Sequence, residues 1–414
     1  MYSSYQGFFL QRKEHEMSNK RKDSKGRILH TGESQRKDGT YDYRYTDSTN
    51  KRHSIYAPTL EELRMKEEEI LKWKMDGFSY AAGGITVLEL LERYINMKKR
   101  AVRYTTRSGY QFVQGVVERY SFGQRKIRDI RVSDAKMWFI ELFDDGYSWN
   151  SIASIRGVVK PAFQMAFAEE MIRRNPFDFR LDMIPNDTKK RVALTERQQN
   201  AFLNFVAEDK HYCRYLDEII VLLGTGMRVS EFCGLTISDL DFDRRRIRVD
   251  HQLVWTRSCK RYIEKTKTEC GCRYLPMSDE VYRSLFNILA NRAKPQKEPM
   301  IDGYAGFLLL DKNGNPKVAL HIEHVVKRIW EKYNKANVIP LPRVTPHVFR
   351  HTFCTNMDHA GMDLKSLQYL MGHSDITVTL NVYTHITYEK AEESMAKILP
   401  FSEVELPNQR RRFG

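Results

Sequence analysis

Apolar residues recur along the chain at two spacings, and the changes of spacing divide it. Between residues 17 and 79 the chain is polar and basic with Gly and Ser punctuation. Within it Tyr41, Tyr43 and Tyr45 alternate with polar neighbours, the period of a half-buried strand. Asp47-Ser48-Thr49-Asn50 is a turn signal, and Arg52 to Tyr56 reads as the next strand. From Leu60 to Trp73 the apolar residues shift to helical spacing. The pattern predicts two or three short strands followed by a helix.

Ala81-Ala82-Gly83-Gly84 reads as a linker, after which helical spacing runs to about Arg174. Thr86 with Glu89 makes a capping box, and Val87, Leu90, Leu91, Tyr94 and Ile95 supply one apolar face. A second helix is expected over Gln111 to Tyr120. A third is expected with Ser133 as its cap and Met137, Ile140 and Leu142 inward. A fourth is expected over Asn150 to Ile172, bent at Pro161 and closed by Asn175-Pro176. The polar stretch Asp178 to Arg191 reads as another linker. Thr195 with Gln198 then opens a further helical region, interrupted by strands at Arg246 to Trp255, Tyr262 to Lys265 and Arg273 to Met277.

The expected fold is therefore multidomain and mainly α with small β elements. A flexible leader covers 1–16, and Met17 is an expected alternative start. A small N-terminal three-stranded sheet plus helix covers 17–79. A helical domain covers 82–182, a mixed α/β but mostly helical domain 190–400, and a basic tail 401–414.

Composition narrows the partner. The 414 residues carry a formal net charge of +15, which suits an extended polyanion, although ribosomal, membrane-surface and heparin-binding proteins are basic too. The apolar runs fall short of the roughly 20 residues that span a bilayer, and the first residues lack a secretory signal pattern. Six cysteines without framework spacing point to a reducing cytoplasm. Cys270-Gly-Cys272 has the look of half a metal site but lacks the usual spacer and a second pair.

Three short segments carry chemistry. In Gly224-Thr225-Gly226-Met227-Arg228-Val229-Ser230-Glu231, glycines flank a tight turn into a helix. Arg228 and Glu231 stand one helical turn apart there, which a surface ion pair would also explain. In Thr345-Pro346-His347-Val348-Phe349-Arg350, His347 and Arg350 share one face of a Pro-started helix. A guanidinium fork suits phosphate and an imidazole handles a proton near neutrality, yet a basic helix resting on a phosphate backbone would look the same. In Leu370-Met371-Gly372-His373, the histidine follows a glycine at a helix end. Tyr383 ends a short helix candidate, Val378 to Tyr383, where a lone tyrosine is more often core.

Taken in order, Arg228 in Gly-Met-Arg-x-Ser-Glu, His347-x-x-Arg350, Gly372-His373 and Tyr383 resemble the signature of the tyrosine recombinases. The family also uses a lysine on a strand hairpin. Lys267 of Lys265-Thr266-Lys267-Thr268 fits that position, with Lys265 as the alternative. The segment Lys25 to Gly39 is similar to the N-terminal arm-binding domain of integrases from conjugative transposons. The helical region 82–182 is similar to the family's core-binding domain.

The resemblance implies a site-specific integrase of a mobile element, acting in integration and excision. The Tyr383 hydroxyl attacks the scissile phosphate, displaces a 5′ hydroxyl and forms a 3′-phosphotyrosyl bond, without metal, cofactor or ATP. Arg228 and Arg350 would hold the non-bridging oxygens, and Lys267 would protonate the leaving oxygen. His347 would help take the Tyr383 proton, His373 would bond the phosphate, and Glu231 would support. Double-stranded DNA at core and arm sites is the implied partner, with a tetramer assembled on it and an accessory excisionase as a further possible partner. Candidate DNA contacts are Arg36, Lys37, Tyr41 and Arg44 in the N-terminal sheet, and Lys98, Lys99, Arg100, Arg103, Arg107 and Lys126 in the helical region. The helix Tyr388 to Ile398 would dock on a neighbouring subunit or pack on its own domain. Two rivals share the features: a type IB topoisomerase, which would relax any supercoiled DNA without strand exchange, and a binding protein that makes no covalent adduct.

Overall fold

The alternating tyrosines do lie on a strand. The computed structural model describes residues 21–47, 50–188, 192–256, 260–266 and 271–380. There β1 (Glu33–Gln35), β2 (Tyr41–Thr46) and β3 (Arg52–Ala57) form an antiparallel sheet in that order. Tyr41 pairs with Ala57 and Tyr43 with Ile55. Their shared face packs on Leu60, Leu63 and Ile70 of α1 (Leu60–Met75), whose first turn is capped by the Thr59 hydroxyl accepting from Glu62 N–H at 3.2 Å.

The chain divides into two compact units, residues 1–189 and 190–414. The first contains the sheet and a separate helical core built from α2 (Val87–Lys98), α3 (Tyr104–Arg119), α4 (Val132–Asp144) and α5 (Trp149–Ala168). The capping box at α2 forms as its sequence requires: Thr86 N–H donates to Glu89 at 2.8 Å, and Glu89 N–H donates to Thr86 at 3.2 Å.

Several boundaries move. Helix α3 starts at Tyr104 rather than Gln111, because its polar first turn carries no apolar period. The N-cap of α4 is Arg131, not Ser133; the Asp134 carboxylate accepts from Arg131 N–H at 2.7 Å. Leu142 faces inward as expected, but Met137 is 63% exposed and Ile140 half-buried, and Ala135, Trp138 and Phe139 complete the inward face. The fourth helix stops at Ala168. The expected linker at Ala81–Gly84 is a packed helical turn: a Cβ on Gly83 would lie 2.5 Å from the Met171 carbonyl. Part of the expected linker after Asp178 is packed, with Ile184 buried and Phe179, Leu181 and Met183 partly so, while Asp187 is exposed and accepts from Trp149 N–H.

The second unit begins with α6 (Glu196–Glu208), whose Thr195 and Gln198 form the second capping box. Helices α7 (Leu216–Thr225) and α8 (Val229–Gly234) follow. Strands β4 (Leu240–Asp241), β5 (Arg246–Val249), β6 (His251–Trp255), β7 (Arg261–Lys265) and β8 (Arg273–Pro276) make two sheets. The order is β4-β5-β8 in one and β6-β7 in the other. The sequence reads Arg246 to Trp255 as one strand, but the chain changes sheet at Asp250. Helices α9 (Asp279–Ala290), α10 (Ala319–Ala336), α11 (Pro346–His359), α12 (Leu364–Met371) and α13 (Ile376–Leu380) complete the described part. The fold is mainly α with small β elements, as the pattern predicts.

Candidate active site

Helix α7 ends at Gly226 in the left-handed region, φ 62°, where a Cβ would lie 2.3 Å from the Phe353 ring. Glycine is required here by conformation and by contact. The turn places Arg228 at the N-cap of α8. Glu231, one turn on and 3% exposed, accepts from Arg228 N–H at 2.9 Å and from its Nη1 at 2.7 Å. The ion pair that the spacing also allowed is thus buried at its carboxylate and open at its guanidinium.

Helix α11 starts at Pro346, with the Thr345 hydroxyl accepting from Val348 N–H at 3.2 Å. His347 stands exposed in the first turn, and Arg350 is buried one turn further. Arg350 Nη1 donates to the Gly226 carbonyl at 2.6 Å, and Nη2 donates to the Met371 carbonyl and to His373 Nε2, the latter at 2.9 Å. Helix α12 carries the last of these groups. It closes at Gly372, φ 59°, and His373 follows.

One residue of this cluster escaped the sequence reading. Arg273 has a fully buried side chain, and its Nη2 lies 2.8 Å from Glu231 Oε2. Its Nε donates to the Leu370 carbonyl at 2.7 Å, while Arg228 Nη2 donates to Gly372 O at 3.3 Å. The last carbonyls of α12, at 370, 371 and 372, thus each receive a different guanidinium, from Arg273, Arg350 and Arg228. A helix C-terminus leaves such carbonyls without partners inside the helix and favours positive charge beside it. The available signal was strand period: Arg273, Leu275 and Met277 are all buried, so a charged residue occupies an inward position.

Burial opposes ionisation of Glu231, yet the Arg273 and Arg228 charges outweigh it and hold the carboxyl at about 2. Burial, and then the Arg228 charge, pull Arg350 down to about 9, which still leaves it charged at neutral pH. Burial, followed by the Arg350, Arg228 and Arg273 charges, holds His373 at about 4. The ring is therefore neutral near pH 7. Because Nε2 accepts from Arg350, its proton sits on Nδ1. Among the described residues, three guanidiniums against one carboxylate leave the cluster two positive charges in excess, which is a receptor for an anion.

The other predicted site residues are spread more widely. Tyr383 and Lys267 lie outside the described residues, as do Cys270 and the helix Tyr388 to Ile398. Lys265 is exposed at the end of β7. Arg36, Lys37, Arg44, Lys98, Lys99, Arg100, Arg107 and Lys126 are exposed, and Arg103 is half-buried. Arg36 lies over the Tyr56 ring at 5.1 Å, and Arg44 pairs with Asp42 at 3.0 Å. Tyr41 is different: it is 3% exposed, and its hydroxyl donates to Asp23 at 3.0 Å and accepts from Arg27 at 2.9 Å. Its place is in the packing of the sheet. Among the described residues, two His and carboxylate groups come within metal-ligating reach, His30-Glu33-Glu67 and Asp239-Asp250-His251. Each already holds a guanidinium, Arg64 on Glu33 at 3.0 Å and Arg248 on Asp239 at 2.9 Å. No described helix is long and apolar enough to cross a membrane.

Comparison with known proteins agrees with this geometry. Residues 193–390 match the phage integrase family, and residues 17–73 match the DNA binding domain of Tn916 integrase. The transposase from transposon Tn916 of Enterococcus faecalis is 41% identical over 396 residues, spanning 92% of this chain and 97% of the relative. The transposase from transposon Tn1545 of Streptococcus agalactiae matches to the same extent, 41% over 396 residues, with the same shares of 92% and 97%. The Tn1549 transposon integrase, solved with a circular intermediate DNA, superposes with a TM-score of 0.73 at 41% identity, covering 76% of this chain and 100% of that one. The same integrase with transposon right end DNA gives 0.72 at 42% identity, covering 76% and 99%. The first is an arginine-to-lysine variant and the second a tyrosine-to-phenylalanine variant. With the buried arginine cluster and its ordered motifs, these likenesses establish that the chain belongs to the phage integrase family, the tyrosine recombinases, alongside the integrases of transposons Tn916, Tn1545 and Tn1549.

Proposed function

We propose that the chain cuts and rejoins the ends of its mobile element by gripping the scissile phosphate in the cluster of Arg228, Arg350 and His373, with Tyr383 as the nucleophile. As a tyrosine recombinase it works through a phosphotyrosine intermediate, and the energy of the broken ester is kept in that bond. The observation that carries the residue roles is the excess of positive charge around one buried carboxylate. A phosphodiester brings one negative charge, and a second develops in the transition state, where fixed donors act most strongly. Arg228, whose side chain is 37% exposed, is the guanidinium best able to reach an incoming oxygen. Neutral His373 can donate from Nδ1 to the phosphate. His347, exposed at the start of α11, can handle the phenolic proton, and Lys267 the leaving 5′ oxygen.

On this reading residues 17–79 grip arm sites through the exposed side of the small sheet, with Arg36, Lys37 and Arg44 on phosphates or base edges. Residues 82–182 hold the core site through Lys98, Lys99, Arg100, Arg103, Arg107 and Lys126. Residues 190–400 perform the chemistry. Four copies act together on paired duplexes, with an accessory protein setting the balance of excision over integration. The test is strand exchange between two labelled element-end duplexes. Exchanged products are expected. Relaxation of any supercoiled plasmid, with no exchanged strands, would place the chain with topoisomerases instead.

A further inference from the structure

We infer that Arg273 is a positioning residue for strand cleavage, holding three segments of the active site in register without touching DNA. The inference rests on the recombinase reading above. With a side chain at 0% exposure, Arg273 cannot reach a phosphate. Nor does stability alone call for it. Its neighbours at the alternate inward positions are Leu275 and Met277, and an apolar residue there would fill the core without burying a charge.

What an apolar residue could not do is join the parts. Nη2 holds Glu231, the carboxylate that also fixes Arg228. Nε holds the Leu370 carbonyl, in the last turn before His373. Nη1 donates to the Gly271 carbonyl at 3.2 Å, where the chain returns from the segment bearing Lys267. One planar fork reaches all three; an ammonium, a point charge on a flexible stem, cannot reproduce that geometry. A second, independent observation concerns Gly372. A Cβ there would lie 2.8 Å from Arg273 Nη1, so Arg273 occupies the space a side chain at 372 would need. The glycine before His373 is thus demanded by Arg273 as well as by its own φ of 59°.

The experiment uses the full chain with Arg273→Lys and Arg273→Met. Three quantities are read on a suicide duplex carrying the element end: DNA affinity, the single-turnover rate of covalent adduct formation at saturating DNA, and the His373 titration by NMR. Both variants are expected to bind within about threefold of the parent and to form adduct about 100-fold more slowly. Arg273→Lys is expected not to restore the rate. In Arg273→Met the His373 titration moves upward, since one of the charges repelling the imidazolium has gone. A core control, Phe202→Leu, leaves the titration in place. A folded variant with the parental adduct rate, or an unmoved His373 titration in Arg273→Met, overturns the inference. Loss of fold in both variants by circular dichroism also overturns it, since Arg273 would then serve stability alone. Failure of the parent to form any adduct would instead refute the recombinase reading.

Discussion

Arg228 shows how much a single residue's chemistry depends on its shape. Its backbone N–H and Nη1 both go to Glu231, and its Nη2 goes to the Gly372 carbonyl, so the planar group is fixed from two sides before a substrate arrives. A lysine would keep the charge and lose the fork. Arg228→Lys is expected to retain DNA affinity while adduct formation at saturating DNA falls about 100-fold or more. Single-turnover kinetics check this, and a rate near the parent's would remove Arg228 from the phosphate clamp.

At the scale of elements, the C-terminal end of α12 organises the site, and its ionisation state makes the second unit sensitive to acid. Glu231 sits at about 2 against an ordinary 4.5, so the stability it contributes is complete above 4.5 and is lost as pH falls toward 2. His373 sits at about 4 against an ordinary 6.5, so the unfolded chain takes up a proton that the folded chain refuses. Its contribution therefore falls as pH drops from about 6.5 to about 4 and then levels off. Urea midpoints measured across this range should decline from mild acid downward in the parent. In His373→Gln the decline above about pH 4.5 should be shallower than in the parent, with a remainder from His321, which burial also holds low. An unchanged profile in that variant would mean that His373 is not buried as a neutral ring.

The same elements show what was legible in advance. The capping boxes at Thr86 and Thr195, the strand of alternating tyrosines, the placing of Arg228, His347 and His373 at helix ends, and that of Arg350 one turn after His347 all follow from local spacing. Arg273 did not, because its partners Glu231 and Leu370 are distant in sequence and only the fold brings them together. The helical period around Met137 is legible but its phase is not: the inward set is Ala135, Trp138, Phe139 and Leu142, and Met137 falls one position off it. Tyr41 was read as a DNA contact because the alternation of tyrosines gives the strand's period but not which face is covered by α1.

For the whole molecule, a net charge of +15 makes association with duplex DNA a matter of counterion release, and its affinity must fall with salt. The proposed division of labour is separable. Arg36→Ala combined with Arg44→Ala should weaken binding to duplexes that include outer arm sites by about tenfold at moderate salt, with a shallower salt dependence. Adduct formation on a duplex carrying the core site alone should stay at the parental rate. Equal loss on both duplexes, measured by titration and by adduct yield, would assign these arginines to general folding or to the core site. The account as a whole turns on where the broken strand becomes attached. The direct measurement is to trap the full chain on a suicide duplex of its element end, digest the protein, and identify the DNA-linked peptide by mass spectrometry. The account predicts a peptide joined through Tyr383 to a 3′ phosphate. A linkage at another residue, attachment to a 5′ phosphate, or no linkage by the intact chain would contradict it.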